Sequence, residues 1–451
     1  MISANIKGKI KNLKTREIFS KIIDLLELPD IIILMGMRQT GKSSLLFLTI
    51  RYLLEKIPPK NLFYFSLEDS LVLDGFNRNQ KELAKIIETG EVDDGFPCYI
   101  FIDEIQHLDD PTRFLKYYYD NYSHFKFIIT GSSSFELRKK FKDSLAGRKK
   151  IIPIHPLSWR EFLSFKNVAA NPLKMISSEV ESKKMTELWE EFIIFGGHPK
   201  IPQLMNSNSK IEELGDIFSS YLERDIRDIG NIENMSAYNN LVKMLAVQCG
   251  NLVSAKNISD NLGLNLITLR KYLFLLEKSF ALSLLKPFFK NKIKEVTKMP
   301  KVYFEDIGIR NFAVSDFRAL EQRPDLGALV ENFVFNELQK RVGIGEEIFF
   351  WRSVATQVEV DFVLKKGSDL LPIEVKYQNY NEANISPGLK KFIIEHRPEK
   401  AIVVTKNFSV EIIFEKCKVS FVPVSVFSDF LFKYRGFRQD TADQKLSICN
   451  T

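Results

Sequence analysis

Residues 31–48 read Ile-Ile-Ile-Leu-Met-Gly-Met-Arg-Gln-Thr-Gly-Lys-Ser-Ser-Leu-Leu-Phe-Leu, and this stretch decides the fold of the first part of the chain. An apolar run typical of a buried strand comes first, a loop with glycine at both ends follows, and a helix-forming segment ends the stretch. The loop from Gly36 to Ser43 matches the pattern G-x-x-x-x-G-K-[ST]. Its glycines let successive backbone N–H groups face inward at a helix N-terminus, where they bind phosphate. We therefore expect a nucleoside triphosphate site, and a chance match in a glycine-containing turn is the alternative.

The side chains of this phosphate-binding loop predict how the nucleotide is held. We expect Lys42 to reach the β- and γ-phosphates and the Ser43 hydroxyl to ligate Mg²⁺. ATP and Mg²⁺ are therefore the predicted cofactors. The predicted nucleotide-binding residues of the loop are Gly36, Met37, Arg38, Gln39, Thr40, Gly41, Lys42, Ser43 and Ser44.

Strands and helices alternate over the first 154 residues, which predicts a parallel sheet covered by helices on both faces. Besides the strand before the loop, the sequence predicts strands at 61–67, 98–103, 125–132 and 150–154. Helices are expected over 16–26, after the phosphate-binding loop, and over 78–88.

Two acids, Asp103 and Glu104, end the predicted strand that begins at Cys98. We expect Asp103 to hold Mg²⁺ across from Ser43, mostly through water, and Glu104 to orient and deprotonate the water that attacks the γ-phosphate. The alternative is an acidic strand end that caps the next helix. With the phosphate-binding loop upstream, the pair favours an ATPase that has a catalytic glutamate.

Further polar residues are candidates for the same site. Thr130 and Ser132 end the neighbouring strand, where a hydroxyl could sense the γ-phosphate, although turn chemistry alone also selects Thr-Gly-Ser. Arg148 could stabilise charge in the transition state, from its own subunit or from a neighbour's. A surface arginine in a basic run is the alternative interpretation of Arg148.

Length and composition limit the classes to consider. The 451 residues suffice for about three domains, and 45% hydrophobic with 27% charged residues is an ordinary globular balance. No apolar run reaches the ~18 residues that a membrane-spanning helix needs, and the N-terminus lacks the layout of a signal peptide. The four cysteines are far apart, which argues against a zinc site and a disulfide framework. We therefore expect a cytoplasmic protein without a membrane partner.

Basic residues concentrate in two regions. Residues 126–150 hold eight Lys and Arg, and residues 265–301 hold nine against only Glu277 and Glu295. Such local excess is compatible with the phosphate backbone of DNA as a partner, and a solvated basic face is the alternative.

The middle of the chain is predicted to be mostly helical. Helices at 238–248, 254–262 and 265–276, followed by strand-like runs at 280–289 and 301–305, give the layout of a winged helix. The third helix would present possible phosphate or base contacts, and the same helix would bury a leucine stripe. The contacts are Asn265, Thr268, Arg270 and Lys271, and the stripe is Leu266, Leu269, Leu273 and Leu276. A lid element or a partner-docking surface is the alternative to DNA contact.

Acidic residues in two later strands predict a second Mg²⁺ site. Glu374 and Lys376 are two apart and so share one face of their strand, and pairing with the strand that carries Asp361 would bring all three together. Glu331, on the preceding helix, could close the cluster, so the predicted metal ligands here are Glu331, Asp361 and Glu374. Lys376 would position a water or stabilise charge at phosphorus, and Arg352 could contact a phosphate. A routine cross-strand charge pair is the alternative.

Several segments together resemble a known family. Gly-Met-Arg-Gln-Thr-Gly-Lys-Ser, Ile-Phe-Ile-Asp-Glu-Ile-Gln, Ile-Ile-Thr-Gly-Ser-Ser-Ser and Ser-Leu-Ala-Gly-Arg occur in that order, followed by Pro156-Leu-Ser-Trp-Arg-Glu-Phe. They resemble prokaryotic AAA-type ATPases related to the STAND signalling NTPases. The resemblance implies a helical lid in which Gly196, Gly197 and Pro199 lie near the adenine and which continues through Asp225 to Asp228. The arrangement of Asp361, Glu374 and Lys376 resembles the PD-(D/E)xK nucleases.

The sequence therefore predicts an α/β fold: a P-loop NTPase parallel sheet, a helical lid and winged helix, then a C-terminal α/β restriction-endonuclease-like domain. The predicted boundaries are 1–156, 157–230, 231–315 and 316–435, with a polar tail at 436–451. The leading hypothesis is ATP hydrolysis that acts on or with DNA and gates a metal-dependent nuclease-like domain. Its predicted catalytic residues are Lys42, Glu104, Asp361, Glu374 and Lys376. The alternative is a STAND-like regulatory switch whose C-terminal domain is an inactive binding module, and a homo-oligomer is open in either case.

Overall fold

The computed structural model describes residues 8–132, 145–168, 179–225, 232, 234–289, 298–353 and 355–434. These residues divide into two compact units. The first contains the chain up to His155 together with Lys278–Phe280, and the second contains Pro156–Glu277 and the chain from Ala281 onward. Residues 226–228 of the predicted lid and the predicted polar tail lie outside the described residues. The predicted subdivisions within the second unit stay predictions.

A five-stranded parallel sheet forms the centre of the first unit, in the order β2-β3-β4-β1-β5. The predicted parallel sheet is therefore confirmed. Strands β1 and β3 are buried along their whole length, which explains their continuous apolar sequences. The strands are β1 (Ile31–Gly36), β2 (Leu62–Ser66), β3 (Cys98–Asp103), β4 (Phe125–Ser132) and β5 (Lys149–Pro153).

Helices pack on both faces of this sheet, because alternate side chains of β1 enter two different cores. Ile33 belongs to one core and Leu34 to the other. The helix predicted over 78–88 is confirmed over Glu82–Glu88, but its predicted start is wrong, since a separate helix ends at Arg78 and Asn79 is extended. The helices are α1 (Phe19–Leu26), α2 (Lys42–Leu54), α3 (Ser70–Arg78), α4 (Glu82–Glu88) and α5 (Pro111–Asn121).

The second unit begins with helices and includes a short antiparallel hairpin, β6 (Leu282–Leu285) with β7 (Lys301–Phe304). Helices α9 to α11 followed by this hairpin have the predicted helix–turn–helix–hairpin order, and the winged-helix assignment stays a prediction. The helices are α6 (Trp159–Phe165), α7 (Glu179–Phe195), α8 (Ser207–Ile217), α9 (Met235–Val247), α10 (Ala255–Leu262), α11 (Leu266–Lys278), α12 (Ile307–Ala313) and α13 (Leu326–Gln339).

The buried face of α11 differs from the predicted leucine stripe in one residue. Leu269, Leu273 and Leu276 are buried, but Leu266 is 40% exposed. Leu266 is the first residue of the helix, and the buried face is completed by Tyr272 and other residues further along.

A six-stranded mixed sheet follows, in the order β12-β13-β11-β10-β9-β8. Strands β8, β9 and β10 are antiparallel, whereas β10, β11 and β13 are parallel. Ile373 pairs with Phe362, so the next residues along, Glu374 and Asp361, lie opposite each other. The elements are β8 (Glu346–Arg352), β9 (Glu359–Lys366), β10 (Asp369–Lys376), α14 (Pro387–His396), β11 (Lys400–Thr405), β12 (Val410–Phe414), β13 (Cys417–Pro423) and α15 (Val424–Tyr434).

None of the helices in the described part of the chain is both long enough and apolar enough to cross a membrane.

Candidate functional site

The loop between β1 and α2 is shaped by its two glycines. A Cβ atom at Gly36 would lie 2.2 Å from the carbonyl oxygen of Ile154, so no larger residue fits there. Gly41 has a φ of 90°, a conformation that other residues rarely adopt. The loop therefore needs glycine at both positions that the motif specifies.

The side chains of the loop make contacts within it. Lys42 Nζ donates hydrogen bonds to the carbonyl oxygens of Gly36 (3.2 Å) and Met37 (2.8 Å). Thr40 Oγ1 donates to the Met37 carbonyl at 2.9 Å. Ser43 is half-buried, whereas Arg38, Gln39 and Ser44 are exposed. The roles predicted for these residues toward ATP stay predictions.

Arg16 is a buried residue of this site that the sequence interpretation missed. Its guanidinium donates from Nη1 to the carbonyl oxygen of Thr40 in the loop and from Nη2 to that of His155, both at 2.9 Å. The bonds join residues 24 and 139 positions apart, and no local motif marks such a contact.

The carboxyl ends of β2, β3 and β4 meet beside the loop and fix Asp103. Asp103 Oδ1 accepts a hydrogen bond from the Thr130 hydroxyl, and Oδ2 accepts one from the Tyr64 hydroxyl at 3.1 Å. Thr130 Oγ1 in turn accepts from the Glu104 backbone N–H at 2.9 Å. Burial, and then the negative charge of Asp103, raises the pKa of Tyr64, so its hydroxyl keeps the proton that it donates. Thr130 thus positions both acids, and Tyr64 was missed by the sequence interpretation.

Glu104 has a strained backbone. Its φ of 59° and ψ of 51° place a non-glycine residue in the left-handed region, and such outliers concentrate at functional sites. Its carboxylate accepts a hydrogen bond from Gln106 Nε2. It makes no side-chain capping bond to the turn Ile105–His107, whereas α5 is capped by Asp110. The alternative interpretation of Glu104 as a helix cap is therefore wrong.

Arg148 lies at the opposite end of the strands from the phosphate-binding loop. Its carbonyl accepts from the N–H of Ile31, the first residue of β1, and its guanidinium pairs with Asp120 at 3.0 Å. The loop begins at the other end of β1, about 17 Å away at ~3.3 Å per residue. The suggestion that Arg148 stabilises the transition state of its own subunit is wrong. Ser132 belongs to β4, but its side chain lies outside the described part of the structure.

A second group of charged residues lies on β9 and β10. Asp361 Oδ2 accepts a hydrogen bond from the Val375 N–H at 2.7 Å, and Lys376 Nζ lies 2.8 Å from Glu374 Oε1. The structure therefore brings together the three residues that the strand pattern predicted. Burial and the nearby Asp361 raise the pKa of Glu374 to about 7, while Lys376 opposes that rise.

Glu331 contacts two residues of β7, Lys301 and Tyr303. Its Oε1 lies 3.0 Å from Lys301 Nζ and accepts a hydrogen bond from the Tyr303 hydroxyl at 2.5 Å. Within the described ranges, no three His, Cys, Asp or Glu side chains are placed to ligate one ion. The Lys301 ammonium lies between Glu331 and Asp361, and the role of Glu331 as a metal ligand stays a prediction. Burial raises the pKa of Glu331 to about 7, with Asp361 adding to the rise and Lys301 opposing it.

These residues border an open cleft of about 730 Å³, referred to below as the β9–β10 cleft. Arg352 lines it together with Asp361, Glu374 and Lys376. Two buried polar atoms in the cleft, Glu374 Oε2 and Arg352 Nε, make no hydrogen bond of normal length among the described residues. The Ser386 hydroxyl, which also lines the cleft, lies close enough to the Glu374 carboxylate to lower its pKa. Burying polar atoms without good hydrogen bonds is costly, so a ligand with both cationic and anionic parts suits the cleft.

The segment Phe195–His198 encloses a buried carboxylate. Asp306 Oδ2 accepts from the Gly197 N–H at 2.8 Å and lies 3.3 Å from His198 Nδ1. A Cβ atom at Gly196 would lie 2.2 Å from Asp306 Oδ1. A Cβ atom at Gly197 would lie 2.7 Å from the carbonyl oxygen of Leu157. Packing against Asp306 and Leu157 therefore explains the two glycines without a nucleotide, and the adenine contact of Pro199 stays a prediction.

Two lysines of the basic regions, Lys126 and Lys301, are buried. Lys126 Nζ donates to the carbonyl oxygens of Leu25, Leu28 and Asp30. On α11, Arg270 and Lys271 are exposed, while Asn265 caps the helix by accepting from the Thr268 N–H at 2.8 Å. DNA contact by α11 stays a prediction.

Three segments of the chain match known protein families. Residues 29–163 match the family model described as an AAA domain. The first unit is similar to an AAA-type domain. Residues 186–321 and 326–426 match two families described as domains of unknown function, DUF8612 and DUF4143. The segment 29–163, called the AAA domain below, holds the phosphate-binding loop and the acid pair, and the match supports the expectation of an AAA-type ATPase.

Relatives cover most of the chain. An uncharacterized protein of Methanocaldococcus jannaschii is 29% identical over 412 residues, covering 89% of this chain and 86% of the relative. An uncharacterized protein of Haemophilus influenzae is 25% identical over 378 residues, covering 80% of this chain and 88% of the relative. A Walker-type ATPase of Pyrococcus abyssi has a TM-score of 0.45 at 16% identity, covering 67% of this chain and 96% of that protein.

Proposed function

We propose that the AAA domain binds ATP with Mg²⁺ and hydrolyses it. The observation that carries the proposal is the fixed Asp103, held at both oxygens by Thr130 and Tyr64 beside the strained Glu104. Ser43 and Asp103 offer hydroxyl and carboxylate oxygens, the donors that Mg²⁺ prefers. When bound, Mg²⁺ would neutralise charge on the phosphates.

Each residue then has a defined part in the reaction. The loop backbone and Lys42 bind the phosphates, so the Lys42 ammonium exchanges its carbonyl partners for phosphate oxygens. Glu104 accepts the proton of the attacking water, and its fixed backbone aims the carboxylate. Thr130 binds both the Asp103 carboxylate and the Glu104 backbone N–H, so it fixes the two acids relative to each other.

Phosphate release from ATP tests this proposal. We expect Lys42→Ala to lose ATP binding. Glu104→Gln should bind ATP with unchanged affinity and lose turnover by about a hundredfold or more, because the amide cannot take the proton. Unchanged turnover in Glu104→Gln would exclude Glu104 as the base.

We also propose that the β9–β10 cleft acts on DNA as a metal-dependent phosphodiesterase, under the control of ATP turnover. The proposal is supported by the convergence of Asp361, Glu374 and Lys376 and by the cleft volume. Glu374 Oε2 and Asp361 would hold a divalent cation, which would activate water. Lys376 would stabilise the charge that develops at phosphorus, and Arg352 would bind a neighbouring phosphate.

Cleavage of labelled DNA with Mg²⁺ or Mn²⁺ tests the second proposal. We expect loss of cleavage in Glu374→Ala and Lys376→Ala, and dependence of wild-type cleavage on ATP. Cleavage that is identical in wild type and both variants would assign it to a contaminant and reject the proposal.

One observation favours the second candidate, a STAND-like switch with an inactive C-terminal binding module. The Lys301 ammonium neutralises carboxylates of the cleft. ATP retained through purification, slow turnover and no DNA stimulation would favour the switch. ATPase activity that rises with DNA and is lost in Lys42→Ala would favour the enzyme.

A further inference from the structure

Lys301 places a buried ammonium group among three carboxylates, of which Glu359 and Asp361 line the β9–β10 cleft. Its Nζ lies 3.0 Å from Glu331 Oε1, 3.3 Å from Glu359 Oε1 and 3.8 Å from Asp361 Oδ1, and its side chain is only 3% exposed. A buried ammonium is stable only when opposite charges surround it. The cluster is therefore a built cation position that is filled by a side chain.

The backbone fixes where this ammonium lies. Lys301 begins β7, where it pairs with Leu285 on one side and forms a bridge with Leu252 on the other. Tyr303, two residues further and thus on the same face, donates its hydroxyl to Glu331. The position of the ammonium is set by a paired strand rather than by a mobile surface side chain.

The carboxylate oxygens in and next to the cleft fall into two groups. Glu331, Glu359 and Asp361 Oδ1 surround Lys301. On the other side, Glu374 Oε2 is buried and makes no hydrogen bond of normal length among the described residues, while its Oε1 pairs with Lys376. Asp361 adjoins both groups. Its Oδ1 faces Lys301, and its Oδ2 accepts a hydrogen bond from the N–H of Val375, the residue after Glu374.

This division has a consequence for metal binding. Phosphodiesterases with two metal ions hold them about 3.5–4 Å apart around shared carboxylates. We propose that the Lys301 ammonium replaces one of two such cations, so that the cleft takes a single divalent cation at Glu374 and Asp361. In the structure the three carboxylates around Lys301 are not placed to ligate an ion together. Removal of Lys301 would let Glu331, Glu359 and Asp361 move closer together around a second divalent cation. The inference rests on the proposed metal-dependent function of the cleft.

The number of bound Mn²⁺ ions, measured by electron paramagnetic resonance of free Mn²⁺, tests this proposal. All proteins carry Asp103→Asn, which removes a metal ligand of the AAA domain, and no nucleotide is added. We expect one bound Mn²⁺ in the parent and two in Lys301→Met. Lys366→Met is the matched control, since Lys366 lies on the same strand as Asp361 but is exposed and pairs with Glu346. It should bind one.

A second variant keeps the test decisive where Lys301→Met fails to fold. The Glu359 side chain is 40% exposed, so we expect Glu359→Gln to fold. If Glu359 pairs with Lys301 and does not ligate the metal, Glu359→Gln should change the affinity for Mn²⁺ by less than about threefold. Glu374→Gln, in contrast, should abolish Mn²⁺ binding. A tenfold or larger loss in Glu359→Gln would overturn the proposal.

The outcomes separate this inference from the proposed function. One ion in both the parent and Lys301→Met overturns the role of Lys301 and leaves the metal-dependent cleft intact. No ion in the parent but one in Lys301→Met supports Lys301 as the resident cation and rejects the proposed function of the wild-type cleft. No ion in either protein rejects both.

Discussion

Asp103 depends on hydroxyl groups that lie on two other strands. Tyr64 and Thr130 each bind one of its carboxylate oxygens, so the acid has a fixed orientation before any nucleotide arrives. Fixing a charged group in advance removes the reorganisation that would otherwise oppose the reaction. Tyr64 is thus a positioning residue.

Tyr64→Phe should slow ATP turnover without weakening ATP binding. The lost hydroxyl frees one oxygen of Asp103, and we expect kcat to fall about tenfold, or ~1.4 kcal/mol. Tyr99→Phe, which removes a hydroxyl from a buried tyrosine of β3, should leave kcat within twofold. Equal kcat in Tyr64→Phe and wild type would show that Thr130 alone positions Asp103.

At the level of the element, Lys126 holds the end of a helix to the sheet. Its ammonium binds the carbonyl oxygens of Leu25 and Leu28, at and just beyond the end of α1, and of Asp30 before β1. Helix ends leave such carbonyl groups without partners, and a buried lysine satisfies them here.

Lys126→Met should lower the free energy of unfolding of the first unit by about 3 kcal/mol, because buried carbonyl groups lose their donor. Lys150→Met is the control. Lys150 also faces Asp30, at 3.8 Å, but it is 50% exposed, so its loss should cost less than about 0.5 kcal/mol. Urea denaturation measures both, and equal costs would contradict the assigned role of Lys126.

The segment Phe195–His198 gives a second prediction at this scale. Gly196→Ala should destabilise the second unit by about 3 kcal/mol, because a Cβ there would collide with Asp306 and the φ of 78° is unfavourable. Gly263→Ala shares the positive φ (62°) but meets open space, so it should cost about 1 kcal/mol. Similar costs in thermal unfolding would show that Asp306 moves aside.

All three cysteines in the described part of the chain are buried, and they are distributed over both units. Cys98 lies in the first unit, Cys249 and Cys417 in the second. Burial raises the pKa of Cys98 to about 11, of Cys249 to about 12 and of Cys417 to about 11. The thiolate is the reactive form, so a raised pKa suppresses reaction at every pH below it.

Native protein carrying Cys449→Ser should therefore not react with dithionitrobenzoate at pH 8, and reaction should begin only as urea unfolds each unit. Cys98 then reports the first unit, and Cys249 with Cys417 reports the second. Mass spectrometry of the labelled peptides assigns each thiol. Fast labelling of the native protein would contradict the burial of these groups.

The features that could be predicted from the sequence are those that local sequence patterns determine. The loop from Gly36 to Ser43, the apolar strands and the alternation that brings Glu374 and Lys376 to one face all follow from neighbouring residues. Contacts between distant segments were missed, because Arg16 and Tyr64 have no motif of their own. Lys301 was counted as surface charge, since sequence alone does not distinguish a buried lysine from an exposed one.

The bond from Arg16 to the Thr40 carbonyl also limits how the AAA domain can be excised. The family match begins at residue 29, so a fragment cut there would retain the whole nucleotide motif and both acids. The fragment would lose the Arg16 guanidinium, which binds the Thr40 carbonyl of the loop. It would also lose the helix Phe19–Leu26, which contributes to the core on one face of the sheet. Minimal catalytic fragments should therefore start upstream of Arg16.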